Sequence, residues 1–203
     1  MSSLYSDPPF SRGGTLLADA AIDLDIDGNP IAGREIVGQI KAFRDINPYS
    51  GQVYSNRLVY CVAARYKPSN GNTGNLDQAG VLAARGLGFA FDIAAPLTQF
   101  VAAVTAANVT AGLAFGVLDE YLTGTLRNND IVWLVIKGPC EVAKLTGAAV
   151  NSGVAVEISA TVGRFQTAAT GVKVGQNIVG ANVLSATTVA RVNLFDTTAN
   201  VSE

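Results

Sequence analysis

The chain has 203 residues, of which 49% are hydrophobic and only 15% charged, with a formal charge of -2 and no histidine. That length supports one large domain with a substantial core, while scattered Lys and Arg without a basic stripe exclude a protein that grips nucleic-acid phosphates electrostatically. The missing histidine removes every histidine-based triad and most zinc sites, and a charged fraction this far below about a quarter points to apolar surface covered by other copies or by a docked partner.

Residues 1 to 18 are polar and rich in Ser, Pro and Gly, which predicts an extended N-terminal arm that orders only against a neighbour. The arm has neither the basic n-region nor the apolar h-region of a signal peptide. Residues 19 to 203 read as a single β-rich domain. In AAIDLDIDGNPI, Ile22, Leu24 and Ile26 alternate with Asp23, Asp25 and Asp27, the pattern of a strand closed by an Asp-Gly turn. The same DLDIDG places aspartates at positions one, three and five of a calcium loop. Position twelve is Arg34, however, where a bidentate glutamate is required; Glu35 falls one residue late, and no helix precedes the loop. The expectation is a strand and turn without a metal.

REIVGQIKAF predicts a second short strand, INPYSGQVYSNR a loop, and LVYCVAARY, residues 58 to 66, a strand rich in β-branched and aromatic residues. KPSNGNTGNLDQAG, residues 67 to 80, has no periodicity and reads as a long exposed loop. Cys61 and Cys140 sit in apolar runs without CxxC spacing, which points to buried thiols in a reducing compartment, with a disulfide as the alternative.

From Val81 to Ala107 the Ala-rich sequence is compatible with helix or strand. Leu97, Phe100, Val101 and Val104 fall at helical spacing, so a short helix is expected after Pro96. RGLGFAF holds a Gly-x-Gly but lacks the third glycine of a dinucleotide fingerprint, and no Gly-x-x-x-x-Gly-Lys phosphate loop exists. Ile93 to Leu118 runs without a charge and is long enough to cross a bilayer. Pro96, Gln99, Asn108, Gly112 and Gly116 interrupt it, and unpaired polar groups are costly in hydrocarbon, so a buried or subunit-covered segment is expected and no membrane partner. GLAFGVLDE reads as a further strand.

The last third is the most regular. IVWLVI is continuously apolar, as in a central strand buried on both faces, and Gly138-Pro139 ends or bends it. CEVAKL continues as a strand. VAVEIS points Val154, Val156 and Ile158 inward and Ala155, Glu157 and Ser159 outward. TTVARVNLF sets Arg191 and Asn193 against Ala190, Val192 and Leu194. Short strands separated by glycines predict a mainly β fold: an antiparallel β-sandwich or small β-barrel with one short helix, its clearest core at 126 to 197.

No constellation replaces the absent histidine. The acidic residues beyond the N-terminal third stand apart and next to turns, and Glu141 and Lys144, three apart on a strand, face opposite sides and cannot work as an acid–base pair. The reading is a non-enzyme with no catalytic, cofactor-binding or metal residues. The order NDIVWLVIKGPCEV, GAAVNSGVAVEIS, GRFQTA, GVKVGQNIVGANVL and TTVARVNL, residues 129 to 194, resembles the β-rich domain of head-decoration, or cement, proteins of tailed bacteriophages, although about 125 residues precede it here. The resemblance implies a structural protein of the virion, made in the host cytoplasm, that binds the outer surface of the capsid through the major capsid protein, self-associates as a homotrimer and stabilises the head. The alternative is a carbohydrate- or receptor-binding β module of a phage fibre or adhesin. Against it, Trp133 lies inside the apolar strand, where core packing is expected rather than sugar stacking.

Overall fold

The computed structural model describes residues 37–68, 76–145, 151–178 and 189–198. The arm at 1 to 18, the aspartates Asp23, Asp25 and Asp27, and most of IVGANVL lie outside the described residues. The fold is mainly β, as expected. Ten strands are described: β1 (Ile40–Ile46), β2 (Val53–Tyr66), β3 (Gly88–Asp92), β4 (Ala95–Ala103), β5 (Phe115–Leu118), β6 (Ile131–Ala143), β7 (Ala155–Ile158), β8 (Phe165–Thr167), β9 (Gly175–Asn177) and β10 (Val189–Leu194). Two short helices join them, α1 (Gln78–Ala84) and α2 (Ala106–Thr110).

The pairings run β1-β2-β4-β3-β5-β6-β10-β9-β7-β8, and β2 also pairs with β6. Followed round, β2, β4, β3, β5 and β6 return to β2, so five strands close on themselves as a small barrel. One pairing in the ring is parallel, Arg65 and Tyr66 of β2 against Gln99 and Phe100 of β4, and the other described strand pairs are antiparallel. Val62 pairs with Ile40 of β1 and also with Leu134 of β6, which places β1 on the edge of β2 opposite β6.

Strand alternation divides the apolar residues between two cores. Val62, Ala64 and Tyr66 of β2 and Val132, Leu134 and Ile136 of β6 join Phe89, Phe91, Phe100 and Leu118 in one cluster. The intervening Cys61, Ala63, Ile131, Trp133 and Val135 join Phe43, Val156, Ile158, Phe165, Val192 and Leu194 in the other, against β7 to β10. Both faces of β6 and of the second half of β2, from Val59 onward, are thereby buried, which is why IVWLVI carries no polar residue. This arrangement also accounts for part of the low charge, since a chain with two cores places fewer residues in water.

Gly138 does not end β6, which runs through it. Before it the strand pairs with β2 and β5; from Gly138 onward it pairs with β10. Its φ of +98° and the closeness of the Leu58 carbonyl oxygen, which a Cβ would strike, explain why glycine stands there.

Three local expectations are corrected. LTQFVAAV is not helical: the segment after Pro96 belongs to β4, where Phe100 is fully buried between Tyr66 and Phe89. Tertiary pairing with β2 and β3 outweighs the helical spacing. The helices lie on either side, α1 capped by Asp77, whose carboxylate accepts from Gly80 N at 2.7 Å, and α2 by a reciprocal Thr105–Asn108 box. The stretch expected as a loop at 67 to 80 ends in regular structure: Leu76 bridges to Leu126, and α1 starts at Gln78. VYSNR, expected in a loop, extends β2 back to Val53, because the turn at Asn47 to Gln52 is tight enough to pair the residues after it with β1. Asn47 Oδ1 accepts from the backbone N–H of Tyr49 and Ser50 at 2.9 and 3.1 Å.

Candidate functional site

The acidic residues do not all stand apart. Asp45 at the end of β1, Glu120 in the turn after β5, Glu141 on β6 and Arg191 on β10 converge where the two sheets meet. Arg191 pairs with Asp45 through one guanidinium nitrogen and with Glu120 at 3.2 Å through another. Its plane also lies 4.6 Å from the ring of Tyr54. The Asp45 carboxylate is wholly buried, and its second oxygen accepts from Ser55 Oγ at 2.7 Å. Glu120 Oε2 accepts from the backbone N–H of Glu141. Burial alone would draw the proton from Arg191, but Glu120 and Asp45 outweigh it and hold the guanidinium above its usual range. Burial raises the Glu141 carboxyl above the ordinary glutamate range, with Glu120 adding to the rise and Arg191 and Arg85 opposing it.

Both oxygens of Asp45 and both of Glu120 are engaged, and a paired, buried Arg–carboxylate set positions strands rather than transferring protons. Glu141 and Lys144 do have different surroundings, as the strand period predicts, but neither is a solvated surface group. Lys144 is buried, and desolvation pulls its pKa below the ordinary lysine range. Other carboxylates do lie at turns: Asp119 accepts from Tyr121 N, Asp130 from Arg127 N and Asp92 from Ala94 N. Among the described residues, no three Cys, Asp or Glu side chains are placed to hold a metal ion.

The remaining residues marked by the sequence are structural. Trp133 is 2% exposed and stacks edge-on against Phe43 with ring centroids 5.3 Å apart, so it offers no sugar platform. Cys61 and Cys140 are buried thiols and are not joined in a disulfide. Gly86 and Gly88 form the turn from α1 into β3, with Gly86 N donating to Leu118 O and Gly86 O accepting from Ala143 N. No helix among the described residues is long and apolar enough to cross a membrane.

What the sequence did not reveal is a surface. Of the eleven large apolar residues exposed among the described ones, five, Ile40, Tyr49, Val53, Tyr54 and Leu58, belong to the β1–β2 hairpin; the other six, Leu82, Ile93, Val162, Val172, Val189 and Phe195, are spread over the rest of the chain. Of residues 53 to 58, Val53 and Leu58 pair with Ile46 and Arg44 of β1, with a register shift between them, and none pairs with β4 or β6. Along β1, Ile40, Ala42 and Arg44 are exposed while Phe43 and Asp45 are buried. The alternation was legible once the strand was placed, but VYSNR had been read as a loop. Comparison of the sequence with known protein families and curated proteins, and of the fold with solved structures, finds no match.

Proposed function

We propose that this protein is a non-enzymatic structural component that coats a repetitive shell, in the manner of a phage head-decoration protein, with the major capsid protein as its partner and self-association, as a homotrimer, on the virion surface. The observation that carries the reading is the exposed apolar set on the β1–β2 hairpin, Ile40 at 52% and Leu58 at 46% exposure among them, attached to a body whose converging carboxylates are spent on internal pairing. Apolar side chains left on a strand pair with a free end favour burial against another protein. Many such modest contacts, repeated on one scaffold, act at high effective concentration. The resemblance at residues 129 to 194 supplies the identity of the shell.

Co-sedimentation with expanded, undecorated phage heads tests this. Saturable attachment at a fixed copy number per head is the expected result. A protein that stays in the supernatant as an inert monomer contradicts the proposal, and saturable glycan binding by that monomer favours the fibre or adhesin alternative instead.

A further inference from the structure

A pocket of about 210 Å³ opens between α2 and the segment that follows β8. It falls below the roughly 300–1,000 Å³ of sites that enclose a small-molecule ligand. Its size suits one side chain. Val109, Ile158 and Val172 give it apolar lining, Thr110 a hydroxyl, and Glu157 is the one charged residue that lines it.

Glu157 was expected to face solvent, yet it is 6% exposed. Its Oε1 accepts from Gln166 Nε2 at 2.8 Å, and its Oε2 from the backbone N–H groups of Gly171 at 2.7 Å and Ala169 at 3.2 Å. Glycine at position 171 permits that approach, since a Cβ there would meet the carboxylate and push it aside. These three donors hold the carboxylate in place and fill three of about four acceptor positions, leaving one on Oε1. They are neutral, and among the described residues no Lys or Arg pairs with Glu157. A fixed, mostly buried anion without a counter-charge, set among apolar walls, is complementary to a cation on an aliphatic stem.

We propose that this pocket receives a single lysine or arginine side chain presented by a partner protein, with the stem against Val109, Ile158 and Val172 and the cationic head on Glu157. The inference stands apart from shell binding, because its chemistry can be tested on the isolated protein. The probe is n-butylammonium, with n-butanol as the neutral control, titrated while the methyl resonances of Val109, Ile158 and Val172 are followed by NMR. Saturable shifts of those methyls with butylammonium, and none with butanol, are expected. Glu157→Gln should weaken the response at least tenfold, and Val172→Trp, a change at a half-exposed rim residue, should abolish it while the rest of the spectrum stays native. Equal responses to butanol, linear shifts without saturation, or undiminished butylammonium binding in either variant overturn the proposal. If Glu157→Gln does not fold, Val172→Trp alone decides.

Discussion

Arg191 is the residue whose loss should be felt most, because it is the shared counter-ion of two carboxylates drawn from different elements. Replacing it with methionine keeps much of the apolar stem but leaves Asp45 buried without its cation, and breaking such a pair costs about 3–5 kcal/mol. Urea denaturation should show that loss for Arg191→Met, and Asp45→Asn in the same background should recover part of it, since an amide tolerates burial better than an orphaned carboxylate. Glu141 should behave in the opposite sense. Its folded-state pKa lies above the ordinary value of 4.5, so ionisation costs the folded state more than the unfolded one. Its favourable contribution is therefore complete below the unfolded pKa and is lost as pH rises through the folded one. Glu141→Gln should be more stable than wild type at pH 7, and the difference should shrink towards zero below the ordinary glutamate range. Equal stability profiles from pH 3 to 8 would contradict this. Neither role was legible from sequence, because Asp45, Glu120 and Arg191 are far apart in the chain and only the meeting of β1, the turn after β5 and β10 brings them together. Trp133, by contrast, announced its burial through its neighbours in IVWLVI.

Strands with local signatures could be read from sequence, and strands defined by distant partners could not. β6 and β10 show uninterrupted apolarity and clean alternation, and both are where the sequence placed them. β4 carries helix-like spacing, and its identity comes from antiparallel pairing with β3 and the short parallel register with β2. The parallel step has no local signal, because nothing in LTQF specifies Arg65 and Tyr66 as partners. At Gly138, where the sequence predicts a break or bend, β6 continues and changes partners, and so serves both sheets. An alanine there would have to adopt φ near +98° and displace the Leu58 carbonyl. Strain of this kind costs about 1–3 kcal/mol, with the backbone collision added to it. Gly138→Ala should therefore lower the urea midpoint by the equivalent of at least about 2 kcal/mol. A midpoint within error of wild type would mean that the two sheets are not joined through this residue.

For the whole molecule, the composition that first suggested a covered exterior has two sources. Two cores packed on opposite faces of β2 and β6 absorb much of the apolar content, so low charge alone does not require a partner. Of the eleven large apolar residues left exposed among the described ones, the five on the β1–β2 hairpin form the one group that a single supersecondary unit carries, and that residue set, rather than the percentage, is the argument for a docked surface. It is also the part of the fold that the sequence concealed, since the segment around Val53 to Arg57 has the Ser and Asn content of a loop. The most direct measurement is the attachment of an Ile40→Glu/Leu58→Glu variant to undecorated heads, read beside its melting temperature. Both side chains are about half exposed, so the account predicts a melting temperature within a few degrees of wild type and at least a tenfold loss of attachment. Full attachment by a variant that carries two charges on this hairpin would contradict it.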